Sequence, residues 1–168
     1  GYSGLSFARH EQEYGTILED GAYIDLESDN LKYVFEKRDL SNLIQKFKFK
    51  LSHTDYQHLE IEGDGSTGLD YFDKGADAKF ELVHSLFSQS GVAGVDFGSY
   101  NFSQETKPYE PNNKRQNVAV YALESFEVGD HKINFGLRHD YHEYDANSFT
   151  SDDGAATEGG DEGSTSFN

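Results

Sequence analysis

Cysteine, methionine and tryptophan are missing from this sequence altogether. Without cysteine there is no disulfide framework, no thiolate metal site and no cysteine nucleophile. Proline occurs only at Pro108 and Pro111, inside one loop, so nothing interrupts extended structure elsewhere. No apolar run approaches the roughly 18 residues of a transmembrane helix. That absence leaves open a membrane protein built from strands, whose residues alternate between lipid and water and escape a hydropathy scan. No leader-like segment opens the chain, which reads as a mature protein or a fragment. Cations are scarce, 14 Lys and Arg against 31 Asp and Glu, for a net charge of -17. Such a field repels phosphate backbones and argues against a nucleic-acid partner. G-x-S-x-G, P-loop and G-x-G-x-x-G words are also missing. The paired carboxylates Glu60 and Glu62 sit at a strand end where no burial would make one an acid and the other a base. The chain does not read as an enzyme.

What is present is alternation. In "KFKFKLSHTDYQHLEIEGDG" (46–65), Lys46, Lys48 and Lys50 interleave with Phe47, Phe49 and Leu51. Period two is the mark of a strand with unlike faces. The same period predicts strands over about 4–14, 22–35, 45–61, 70–84, 92–102, 117–128 and 131–144. The last is the cleanest: Ile133, Phe135, Leu137 and Tyr141 alternate with Lys132, Asn134, Arg138, Asp140 and His142. In the second strand the apolar positions are even before Ser28–Asn30 and odd after it, which predicts a bulge or register change there. In the sixth, Glu124 is the exception in an apolar stripe. No segment carries an apolar stripe of period 3.6.

The connections after strands two, four and six are short, and those after three, five and seven are longer and polar. An up-and-down antiparallel meander puts the turns near Gln89 and Gly129 at one end and the loops near Gly65 and Pro108 at the other. Membrane barrels have short periplasmic turns and long external loops. The predicted strands exceed the globular mode of about 5–6 residues and meet the roughly 9–11 needed to cross a bilayer at a tilt. The fold class is therefore all-β, a meander of about seven long strands forming part of a transmembrane β-barrel. Phe47, Phe49, Leu51, Ile133, Phe135 and Leu137 would face lipid, with the interleaved lysines, Asn134 and Arg138 on the opposite face. The competing reading is a complete soluble or filament-forming β protein that assembles through open strand edges.

Three longer segments carry a family likeness: "LSHTDYQHLEIEGDG", "DYFDKGADAKFELVHSLFSQSGVAGVDFGSYNFS" and "VAVYALESFEVGDHKINFGLRHDYHEYD". Together they resemble the barrel of TonB-dependent outer-membrane receptors, closest to the subgroup associated with zinc uptake. The likeness runs over essentially all 168 residues and rests on patterns and short words. It implies a place in the bacterial outer membrane, in contact with its lipid. It also implies active uptake of a small, scarce ligand, here zinc or a metal chelate, with an energy-coupling periplasmic protein acting through a plug domain. The family's plug, coupling box and terminal aromatic strand have no counterpart here, and no loop is rich in histidine. The resemblance thus implies a central piece of a receptor barrel, ending in an external loop from about residue 145.

Seven histidines invite a metal reading. Tyr56, His58, Glu60 and Glu62 share a parity on the outer half of strand three, and Asp140 and His142 share one on strand seven. Imidazole with carboxylate suits zinc and other borderline divalent cations, here as transported ligand rather than resident cofactor. At about 4.8 Å per strand, strands three and seven are too far apart to share one ion without help from loops. His10 and Glu13 are a further pair. The tail "SDDGAATEGGDEG" lacks the ligand spacing of a calcium loop and reads as solvated loop.

Overall fold

A computed structural model describes residues 1–17, 20–86, 89–106, 110–150 and 156–167. Alternation becomes extended chain throughout. The strands are β1 (Tyr2–Gly15), β2 (Tyr23–Arg38), β3 (Ile44–Ile61), β4 (Thr67–Leu86), β5 (Gln89–Ser103), β6 (Asn113–Val128), β7 (His131–Ala146), β8 (Phe149–Thr150), β9 (Ala156–Thr157) and β10 (Gly160–Phe167). Eight of them form one sheet in the order β1-β2-β3-β4-β5-β6-β7-β10, and β8 and β9 make a short ribbon. Every pairing is antiparallel. The fold is the all-β meander that the alternation predicts, as a single open layer: β1 and β10 do not meet.

Two local expectations are corrected. The tail, read as loop from about 145 onward, returns as the strand β10, paired with β7 from Gly160 opposite Ala146 to Phe167 opposite His139. Its sequence, "GDEGSTSF", has no apolar alternation to announce it. The exposed edge of β7 supplies backbone partners, and small side chains let it pair. The bulge or register change expected in β2 does not exist, because its register runs unbroken from Tyr23 to Glu36 against β1 and from Tyr23 to Arg38 against β3. The irregularities lie between β3 and β4, at Ile44/Lys46 and Glu60/Ile61.

The apolar residues of β2 change parity because the faces of the whole sheet exchange polarity halfway up. Directly paired residues share a face, so the register maps both surfaces. On one face, the half nearest the 39–43 and 129–130 turns carries Phe7, Leu31, Phe49, Phe80, Val95 and Val120 in one region. Phe47, Leu51, Ile133, Phe135 and Leu137 share that face, and Lys46, Lys48, Lys50, Lys132, Asn134 and Arg138 lie on the other. Farther up, the apolar face turns charged: Arg9, Glu11, Asp25, Glu27, Asp29 and Asp55 follow on β1–β3. There Arg9 pairs with Glu11, Glu27 and Asp29, and Lys74 with Asp55 at 2.9 Å. The opposite face does the reverse, from lysines low down to Ile24, Leu26, Tyr56, Tyr71 and Phe102 at the top.

The apolar lower face is bare. Phe135 is 61% exposed and Leu137 54%. Ala119 is the one fully buried apolar residue among those described. A soluble sandwich would cover this face with a second sheet, and a patch of this extent marks a surface meant for lipid or a partner.

The turns define two ends. At one lie 39–43 and 129–130, and at the other lie 62–66 and the far ends of β1, β5 and β7. Gly129 has φ 61°, fitting the first position of a two-residue hairpin turn. The connection 62–66 is a tight turn, closed by Glu62 N–H to Ser66 O at 2.8 Å and Gly65 N–H to Glu62 O at 2.8 Å. It is no longer than 39–43 at the other end, so these two connections show no length asymmetry. The turn expected just before Gln89, the centre of the loop expected around Pro108 and the tail stretch 151–155 lie outside the described residues.

Candidate functional site on the inner face

The face that carries the lysines lines two concavities, one low on the sheet and one high. The lower half is an ion-pair lattice built by register. Lys48 stands opposite Glu81 and meets it at 3.0 Å. Asp96 takes Lys79 at 3.4 Å and Arg138 at 3.0 Å, and Arg138 also meets Asp140 at 2.8 Å. Tyr121 lies in the middle, its ring 4.8 Å from Lys79 Nζ and 5.6 Å from the Arg138 guanidinium carbon. Its hydroxyl donates to Glu81 at 3.3 Å. The ring lies over Gly94, where a Cβ would collide with it. Pairing Lys79 and Arg138 with carboxylates while stacking both on the Tyr121 ring lowers the cost of these charges in the wall.

The upper half is an aromatic and acidic cleft of ≈ 640 Å³, lined by Tyr56, His58, Glu60, Tyr71, Tyr100 and Phe102 among others. Tyr56 Oη lies 3.2 Å from His58 Nδ1, and the Tyr71 ring meets the imidazole edge-on at 5.2 Å. The buried His58 Nε2 has no hydrogen-bond partner, and Glu60 Oε1 is 3.7 Å away. Tyr100 donates its hydroxyl to Asp77 and lies against Gly75, where a Cβ would come within 2.7 Å of the ring. Arg115 meets Asp73 at 2.6 Å and sits 5.6 Å over Tyr100.

The metal candidates are thus distributed. His58 and Glu60 are neighbours on the cleft wall. Glu62 has left the strand for the 62–66 turn, where its side chain lies against Gly68. Asp140 and His142 are on the same face but on β7, with β4, β5 and β6 between, and Asp140 is held by Arg138. His10 contacts Gln12 at 3.4 Å. No group of three His, Asp or Glu residues stands at metal-holding distance among the described residues. Sequence reasoning missed the tyrosine–glycine pairs Tyr121–Gly94 and Tyr100–Gly75. Glycines at matching parity inside strands were the available signal.

A single-layer meander with an apolar band on one face and a charged, aromatic wall on the other is the architecture of a membrane β-barrel wall. The chain belongs to the TonB dependent receptor-like, beta-barrel family, whose model matches residues 3–168. It is accordingly part of a transport receptor of the bacterial outer membrane and not an enzyme. No curated protein matches it. The zinc-uptake subgroup named from the short words is a finer likeness than this match carries.

Proposed function

We propose that this chain supplies wall and external loops to a receptor that takes up a scarce small nutrient. An inner-membrane energy source would drive it through a periplasmic coupling protein acting on a plug. The observation that carries this reading is the exchange of polarity along the sheet. The lower band of Phe47, Phe49, Leu51, Ile133, Phe135 and Leu137 meets lipid, and the upper strands stand clear of it with an aromatic cleft turned inward. A ligand arriving from outside meets that cleft before the lysine lattice.

For the cargo, zinc or a metal chelate is the reading we favour. It rests on the resemblance in the short words, on the unpartnered His58 Nε2 beside Glu60, and on a negative field that concentrates cations. His58 and Glu60 provide two donors, so the ion would pass this wall or complete its shell from loops. Uptake of radioactive zinc in a strain deleted for the gene, complemented by the wild type or by His58→Ala, tests this. Uptake restored by the wild type and reduced with His58→Ala is the expected result. Equal uptake with and without the gene would remove zinc as cargo.

A further inference from the structure

On the inner wall, Lys50 and Lys79 stand directly opposite one another on β3 and β4. Lys32 on β2 pairs with Ser52 and is thus the diagonal neighbour of Lys50. Like charges directly opposite one another destabilise a sheet. This is not for want of acids, since the chain's net charge is -17. On this face Lys48 has Glu81, Arg38 has Glu36 and Arg115 has Asp73, while Lys46 and Lys132, nearer the turns, make no ion pair among the described residues. Lys32 and Lys50 make no ion pair among the described residues.

The three lysines and Arg138 line one concavity of ≈ 430 Å³. Its two carboxylates, Asp77 and Asp96, are already engaged. Asp96 holds Lys79 and Arg138, and Asp77 accepts hydroxyls from Tyr100 and, at 3.4 Å, from Ser52. A patch of excess positive charge is therefore built into the wall of a strongly acidic chain.

We propose that Lys32, Lys50 and Lys79 form an oxyanion site that takes a carboxylate or a phosphate group. Three lysines on adjacent strands line one hollow, and their ammonium groups, as compact point charges, need no fixed acceptor plane. An anion there turns the Lys50–Lys79 repulsion into two attractions. The site lies below the aromatic cleft, has the opposite sign to a cation site, and does not depend on the cargo reading. The oxyanion is either a free molecule in the lumen or a carboxylate from another part of the receptor covering this face.

The test is thermal unfolding of the full-length protein, purified from outer membranes in detergent and chloride buffer. Wild type, Lys50→Gln and the Lys32→Gln/Lys50→Gln double variant are compared with and without millimolar inorganic phosphate. If the anion is free, phosphate raises the wild-type midpoint by about 2–4 °C and leaves the double variant unmoved. If the receptor's own carboxylate fills the site, phosphate does nothing, but Lys50→Gln lowers the midpoint and molar salt shrinks the loss. A midpoint that rises or stays level in Lys50→Gln, with no response of the wild type to phosphate, overturns the proposal. So does a phosphate effect equal in all three proteins.

Discussion

His84 and Glu124 meet across a glycine. His84 Nε2 lies 2.9 Å from Glu124 Oε1, and a Cβ on Gly91 between them would come within 2.6 Å of the imidazole. The register puts all three on the apolar face, Gly91 opposite both His84 and Glu124. The acid that breaks the apolar stripe of β6 is therefore partnered two strands away. Breaking such a pair from one side costs more than removing both members. Glu124→Ala is expected to destabilise the protein by about 1–3 kcal/mol, and His84→Leu/Glu124→Leu by less. Urea unfolding in detergent measures both. A double variant as unstable as the sum of the single ones would mean the two residues act separately.

Charge placed on the bare lower face is the second case. Leu137→Arg is expected to cost about 2–4 kcal/mol in a bilayer, the range for an arginine at mid-depth on a lipid-facing strand. Glu143→Arg, three paired positions higher on the same face, should change stability by under about 1 kcal/mol. Unfolding from lipid vesicles compares them. Equal costs would mean that the apolar band is not in lipid.

Asp70 anchors the long loop after β5. Only 5% exposed, it accepts the backbone N–H of Glu105 at 2.7 Å and that of Thr106 at 3.0 Å. Asp70→Ala strands both donors and is expected to cost about 1–3 kcal/mol. Amide hydrogen exchange at 105 and 106 should accelerate while that at Val95 in the sheet stays slow. Unchanged protection at 105 and 106 would show that the loop holds without this carboxylate.

Much of this sheet was legible in the sequence. Strict alternation in β3 and β7 gave the faces of Phe47, Phe49, Leu51, Ile133, Phe135 and Leu137, because a half-buried strand writes its register into the chain. Three things were not legible. β10 has glycine, serine and threonine where an apolar stripe would be, and its pairing comes from the edge of β7 alone. The parity change in β2 has the same one-dimensional signature whether the chain bulges or its surroundings change. Here the surroundings change, and only the neighbouring strands reveal it. Contacts such as Tyr121 over Gly94, or His84 with Glu124, depend on which strands are neighbours.

Zinc binding at the cleft tests the metal reading apart from transport. Calorimetry with zinc should give a binding heat that His58→Ala weakens by about tenfold, the lower end for loss of a ligand or its support. Binding should also be lost in acid, because imidazole ligates only when neutral. Coincident titrations of wild type and His58→Ala would leave the residue as part of an aromatic wall.

The exchange of polarity is tested most directly along β2. The absence of cysteine from the chain makes single-cysteine spin labels clean. Positions 25, 27, 29, 31, 33 and 35 all lie on one face in the unbroken register. With the protein in lipid vesicles, collisions with oxygen and with a water-soluble nickel chelate report lipid and water at each label. We predict oxygen-dominated collisions at 31, 33 and 35, nickel-dominated collisions at 25, 27 and 29, and the crossover between Leu31 and Asp29. One environment along all six positions, or a crossover that reverses this order, would contradict the account.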